Sequence, residues 1–212
     1  MVPSREVLGL RVLVNASVEG DAETLAKSLA GPDGDVVLLS RMGVGSLNRR
    51  LSPAELDAVR RALTGRHRGG LVGPRPWFDK VVGYVCRGRL LFTPNSGATR
   101  TGALAGSERR LIAVTDHADL TFRSPLRGPN DEVLGPRFPV MAGLHEPSWV
   151  LAACPAAEAG EVLEVQRPEW LTAFETRVAC ELPFAAATNQ LASLAILAAH
   201  LGYKLAALVV CE

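Results

Sequence analysis

At 212 residues, 48% of them hydrophobic and 21% charged, the chain can bury one substantial core, and its formal net charge of +1 gives no reason to expect a polyanionic partner. Cys86, Cys154, Cys180 and Cys211 lie far apart in mostly apolar contexts with no C-x-x-C pair, so neither a zinc site nor a disulfide framework is indicated. Met1 to Arg11 lacks the basic start and long apolar run of a signal peptide, and no uncharged stretch reaches membrane-spanning length; an intracellular protein of cytoplasm or nucleus is expected.

In chain order, Leu10 to Asn15 predicts a strand, and Asp21 to Ala30 predicts a helix with Leu25 and Leu29 one turn apart and Gly31-Pro32 as its stop. Asp35 to Ser40 carries Val36, Val37, Leu38 and Leu39 without alternation, the pattern of a strand buried on both faces. Ser52-Pro53-Ala54-Glu55 supplies the cap, the N1 proline and the N3 carboxylate of a helix start, with Gly65 at its end. Just before it, Asn48-Arg49-Arg50-Leu51-Ser52-Pro53 fits a basophilic kinase pattern, which makes Ser52 a phosphorylation candidate.

Further on, Val81 to Cys86 and Arg89 to Thr93 predict two strands around Arg87-Gly88, followed by the turn Pro94-Asn95-Ser96-Gly97, and Leu111 to Thr115 predicts another strand. Val162 to Val165 predicts a strand, Phe174 to Leu182 and Leu191 to Leu201 predict helices, and Leu205 to Cys211 predicts the last strand. Helices interleaved with continuous apolar strands imply one α/β domain over 1–212, its sheet flanked by helices on both faces and its sites at the carboxyl ends of strands.

Between these elements, Ser124 to Met141 reads S-P-L-R-G-P-N-D-E-V-L-G-P-R-F-P-V-M. Pro125, Pro129, Pro136 and Pro139 fix their own φ and restrict the residue before each, so a stiff, shaped loop is expected rather than helix or strand. Arg127, Asn130, Asp131, Glu132 and Arg137 can satisfy its irregular backbone, line a pocket or make a subunit contact.

This stretch resembles the long loop of the trimeric purine nucleoside phosphorylases, N-P-L-x-G-P-N-D-x-x-x-G-x-R-F-P-x-M, in order and spacing, and Val114 to Leu120 is similar to the segment before it, ending Asp-His-x-Asn-Leu. The resemblance spans about residues 21–212 and implies that family's fold, a central twisted, largely parallel mixed sheet with helices on both faces. It also implies a loop that reaches a neighbouring subunit through Phe122, Arg127, Asn130, Asp131, Arg137 and Phe138. For the ligand, it points to Phe174 and Glu175 of a Phe-Glu-Thr element for the base, and to Asn95, Ser96, Gly43, Gly45, Arg66, His67 and Arg75 for phosphate and base.

The ligand motifs depart from the family pattern. Met42 stands where the family has its phosphate-binding serine, and a thioether cannot donate a hydrogen bond. Pro94 precedes Asn95, no Gly-Arg-x-His segment is reproduced, Thr188 to Leu191 replaces the family's Gly-Met-Ser-Thr contact to ribose and phosphate, and the last strand ends the chain before the family's base-binding Asn. Losing several preorganised groups together, each worth about two to three powers of ten, predicts a chain that keeps the architecture and loses phosphorolysis. The expectation is a binding or scaffolding protein with a protein partner or homo-oligomer, no catalytic residue, metal or cofactor, and no nucleic-acid signal; the alternative is an active purine nucleoside phosphorylase or hydrolase, with phosphate as co-substrate.

Overall fold

The computed structural model of the chain describes residues 10–15, 18, 22–42, 44, 51–64, 80–91, 109–130 and 132–211. Among them the elements run β1 (Arg11–Val14), α1 (Ala22–Ala30), β2 (Asp35–Leu38), α2 (Pro53–Thr64), β3 (Lys80–Leu90), β4 (Arg110–Asp119), α3 (Pro147–Ala153), β5 (Glu158–Glu164), α4 (Ala173–Glu181), β6 (Phe184–Thr188), α5 (Ala192–His200) and β7 (Tyr203–Cys211). The strand order is β2-β1-β3-β6-β5-β4-β7, and β7 also pairs with β3. Strands β3 to β7 therefore close into a barrel from which β1 and β2 extend. The β3–β6 and β4–β7 ladders are antiparallel and the others parallel. This is the expected largely parallel mixed sheet, with closure as an added feature.

Strand β7 shows why the sheet is buried on both sides. Leu205, Ala207, Val209 and Cys211 enter one core, while Ala206, Leu208 and Val210 enter another. Helices α2 and α5 pack into the first core and α1 and α3 into the second, so helices cover both faces as expected. Helix α5, Ala-Ser-Leu-Ala-Ile-Leu-Ala-Ala-His, is apolar nearly all round and is buried nearly all round. Each fully buried leucine, such as Leu194 or Leu197, contributes about 1.5–3 kcal/mol relative to exposure.

Four elements differ from the sequence expectation. In place of a strand buried on both faces over Asp35 to Ser40, β2 is the edge strand among the described residues, its Val36, Val37 and Leu38 only half-buried, and a 3-10 turn takes over at Leu39. Arg87-Gly88 does not break β3, because Gly88 pairs with Cys211 inside the ladder; a Cβ there would lie 2.4 Å from Val209 Cγ1, so the glycine serves packing rather than a turn. The run Phe-Ala-Ala-Ala-Thr at 184–188 forms strand β6 despite its weak strand propensity. Barrel closure selects its small residues: a Cβ on Gly160 of β5 would stand 2.6 Å from the Cβ of Ala185. Helix α3 starts on Pro147, whose missing N–H is no loss in a first turn.

Local chemistry sets the remaining ends. Ser52 and Glu55 form the expected capping box of α2, Ser52 N donating to Glu55 Oε2 at 2.8 Å and Glu55 N to Ser52 Oγ at 3.3 Å. The proline-rich loop satisfies itself through Asn130 Nδ2, which donates to Gly135 O at 3.2 Å, and Arg127 Nη2, which donates to Phe122 O at 3.2 Å. It docks on the end of α5, where the buried His200 donates from Nδ1 to Pro136 O at 2.9 Å.

Candidate functional site

Parallel pairing gathers the carboxyl ends of β4, β5 and β6, with Asp119 opposite Glu164 and Glu164 opposite Thr188. Antiparallel pairing with β6 adds Arg89 of β3 beside Ala187. At this end lies a cleft of about 330 Å³ lined by Arg87, Arg89, Pro168, Glu169, Asn189 and Gln190. That volume is at the lower end of small-molecule sites, which run from about 300 to 1,000 Å³.

The floor of the cleft is a buried polar network. The Tyr84 hydroxyl donates to Gln190 O at 2.7 Å and accepts from Asn15 Nδ2 at 3.2 Å. Burial pushes the phenol well above its usual range, so it stays protonated and a donor. Arg87 N donates to Gln190 Oε1 at 3.1 Å, and Thr188 Oγ1 donates to Arg87 O at 2.6 Å. Arg89 Nη1 donates to Pro168 O at 3.2 Å, fixing one guanidinium at the rim. Two guanidinium groups, a carboxylate and two amides suit a polar or anionic small molecule. The described lining holds no nucleophile with a neighbouring base.

Glu164 is the group the sequence reading missed. It ends β5, is buried, and its Oε2 accepts from Leu191 N at 2.8 Å and Ala192 N at 3.0 Å, the first N–H groups at the start of α5. Burial raises its pKa to about 8, against the lowering pull of those two backbone bonds. A single carboxylate inside the apolar run Val162-Leu163-Glu164-Val165 was the available signal.

Phe174 and Glu175 sit at the start of α4, away from any described enclosure. Phe174 is exposed, with the Arg177 guanidinium carbon 5.2 Å from its ring centroid. Glu175 is tied into a capping box with Thr172: Thr172 N donates to Glu175 Oε2 at 2.8 Å, and Glu175 N donates to Thr172 Oγ1 at 3.2 Å. The bond from Thr172 N holds the Glu175 carboxyl below its usual pKa. Met42, in the 3-10 turn after β2, packs against the first core.

Gly43, Gly45, Arg66, His67, Arg75, Asn95, Ser96 and Asp131 lie outside the described residues. Ser52 is exposed, but its hydroxyl donates to Glu55 Oε2 at 2.8 Å, so a phosphate there would have to displace that carboxylate. On the loop, Arg127 and Arg137 are exposed, Asn130 is half-buried, and Phe122 and Phe138 are 81% and 84% exposed. Phe122 holds φ at 52°, a left-handed conformation costly to a non-glycine residue.

Solved purine nucleoside phosphorylases share this fold. A Schistosoma mansoni enzyme complexed with a novel monocyclic inhibitor aligns over 98% of this chain and 82% of its own, with a TM-score of 0.58 and 14% identity. A purine nucleoside phosphorylase in complex with ribose-1-phosphate aligns over 96% and 80%, with a TM-score of 0.59 and 13% identity. A shorter alignment, to the Schistosoma mansoni enzyme with BCX-34, covers 62% of this chain and 50% of that one, so this chain spans about half the length of that relative. No protein-family model and no curated protein sequence matches the chain. At such identities the likeness is one of fold, a distant nucleoside-phosphorylase-like α/β architecture. No helix among the described residues is long and apolar enough to cross a membrane.

Proposed function

We propose that the chain is a non-catalytic nucleoside-phosphorylase-like protein that binds a partner, and retains at most a polar small-molecule site. One observation carries this reading: Glu164 Oε2 takes the N–H groups of Leu191 and Ala192, at the end of the Thr188 to Leu191 stretch that the resemblance sets opposite the family's contact to ribose and phosphate. Backbone donors at a helix start are where an anion binds best, and here a side chain of the protein already fills them. Met42 packed against the core and Glu175 in a capping box point the same way.

The partner surface in this reading is the proline-rich loop, and its partner is a second copy of the chain. Phe122, Val133 and Phe138 are each more than four-fifths exposed, at 81%, 90% and 84%, an unusual cost for large apolar side chains on one loop. A purine nucleoside is the small-molecule candidate for the cleft, held by Asn189 and the arginines. The competing reading, an active phosphorylase or hydrolase, draws its support from that same cleft at the strand ends.

Assaying inosine and guanosine cleavage with and without phosphate, beside Asn189→Ala and Arg89→Ala, separates the two. The expected result is no turnover above buffer, with a nucleoside-dependent rise in melting temperature that either substitution removes. Turnover abolished by Asn189→Ala would sink the non-catalytic reading. Light scattering tests the loop: self-association lost in Phe138→Ser supports it, and a monomeric parent at high concentration counts against it.

A further inference from the structure

Strand β4 parts from its neighbour β7 midway along its length. Their antiparallel ladder ends at Ala113 opposite Leu208, and the β4–β5 register slips between Val114 and Asp116. The edge of β7 left uncovered is taken by the segment after the proline-rich loop. Leu205 N donates to Leu144 O, and Glu146 N donates to Leu205 O, both at 2.9 Å. An ion pair of 3.1 Å between Lys204 and Glu146 fastens the same segment.

This insertion puts His145 against His117. His117 Nδ1 lies 2.9 Å from His145 Nε2, and the rings meet edge to face with centroids 5.0 Å apart. Asp116, exposed beside them, brings a carboxylate oxygen, and one donor atom from each of the three residues lies within 4.8 Å of the others. A hydrogen bond between the two rings is one account of the short separation, and His145 Nδ1, on the far side of its ring, is buried without a partner under either account.

The separation also fits a metal. Zinc and similar ions take imidazole nitrogen at about 2.0–2.1 Å, so an ion equidistant from two nitrogens 2.9 Å apart subtends roughly 90°, the angle between adjacent ligands of an octahedron. We propose that Asp116, His117 and His145 form a binding site for a divalent transition cation, with the two-imidazole, one-carboxylate donor set that leaves positions open to water or a small ligand.

Imidazole donors select zinc, cobalt, nickel or iron over magnesium and calcium. The cation joins β4 to the 144–146 segment and so locks the base of the proline-rich loop. The site owes nothing to the cysteines, and the 28 residues between its histidines kept it out of any spacing motif.

The test is a titration of the chelator-stripped full chain with Co²⁺, following visible d–d absorption, with Zn²⁺ as competitor and Mg²⁺ as control. One equivalent of Co²⁺ develops bands that Zn²⁺ removes and Mg²⁺ does not. His145→Ala and Asp116→Asn weaken binding by at least tenfold, while Cys180→Ser leaves it unchanged. Absence of bands at millimolar Co²⁺, or bands indifferent to His145→Ala, overturns the proposal. Because His145→Ala can also loosen the loop, the unaltered protein gives a second readout. Co²⁺ broadens the ring-proton NMR signals of His117 and His145 before those of His200. Signals of the pair that stay sharp mean a hydrogen-bonded ring pair only, and overturn it equally.

Discussion

Replacing Glu164 by glutamine isolates the cost of burying an ionisable group at the start of α5. The amide keeps an oxygen for Leu191 N and Ala192 N but cannot ionise. In the parent, burial raises the pKa of Glu164 from 4.5 to about 8, so between these values the folded chain holds a proton that the unfolded chain has released. Stability from this group is fully present below about pH 4.5, falls as pH rises through the window, and is flat above about pH 8. Each pH unit inside the window costs about 1.4 kcal/mol, so the parent loses up to roughly 3 kcal/mol between pH 5 and 7 from this residue. Relaxation of the site makes that figure a ceiling. Urea unfolding at several pH values measures it, with the difference between parent and Glu164→Gln removing the contribution of other groups. Glu164→Gln is expected to match the parent near pH 5 and exceed it by about 1–3 kcal/mol near pH 8. Glu164→Ala, which orphans two buried N–H groups, loses about 2–5 kcal/mol at both. Parallel pH profiles for parent and glutamine variant would refute the account of a buried, proton-holding Glu164.

Gly135→Ala places a Cβ 1.7 Å from His200 O, so the loop must lift from the end of α5; a loss of at least about 1–3 kcal/mol by urea unfolding is expected, and one below about 0.5 kcal/mol would mean the loop is not seated there. Tyr84→Phe strips Gln190 O and Asn15 Nδ2 of a buried partner and is expected to cost about 1–3 kcal/mol, with any nucleoside-induced melting shift reduced as the cleft floor loosens. Phe122→Gly relieves left-handed strain of about 1–2 kcal/mol against roughly 0.5–1 kcal/mol of added chain entropy, so dilute protein keeps or gains stability while self-association through the loop weakens. A loss above 1 kcal/mol in dilute protein would contradict the strain.

What could be read from the chain alone was local. The Ser52-Pro53-Ala54-Glu55 cap, the apolar run of the last strand at Leu205 to Cys211 and the proline spacing of the loop each depend on residues within a turn or two of one another, and each appears where the pattern put it. The fold followed from those local signals and from the loop's resemblance. The site did not, because its parts are distant in sequence. Glu164 meets the N-terminus of α5 across 27 residues, Tyr84 reaches Gln190 across 106, and His145 meets His117 because β4 leaves β7 early. Barrel closure, too, could not be foreseen: it turns an alanine run into strand β6 by leaving room only for small side chains. Sequence determined what each segment prefers in isolation; tertiary structure decided which polar groups lose their water together, and that loss of solvent sets both their partners and their protonation.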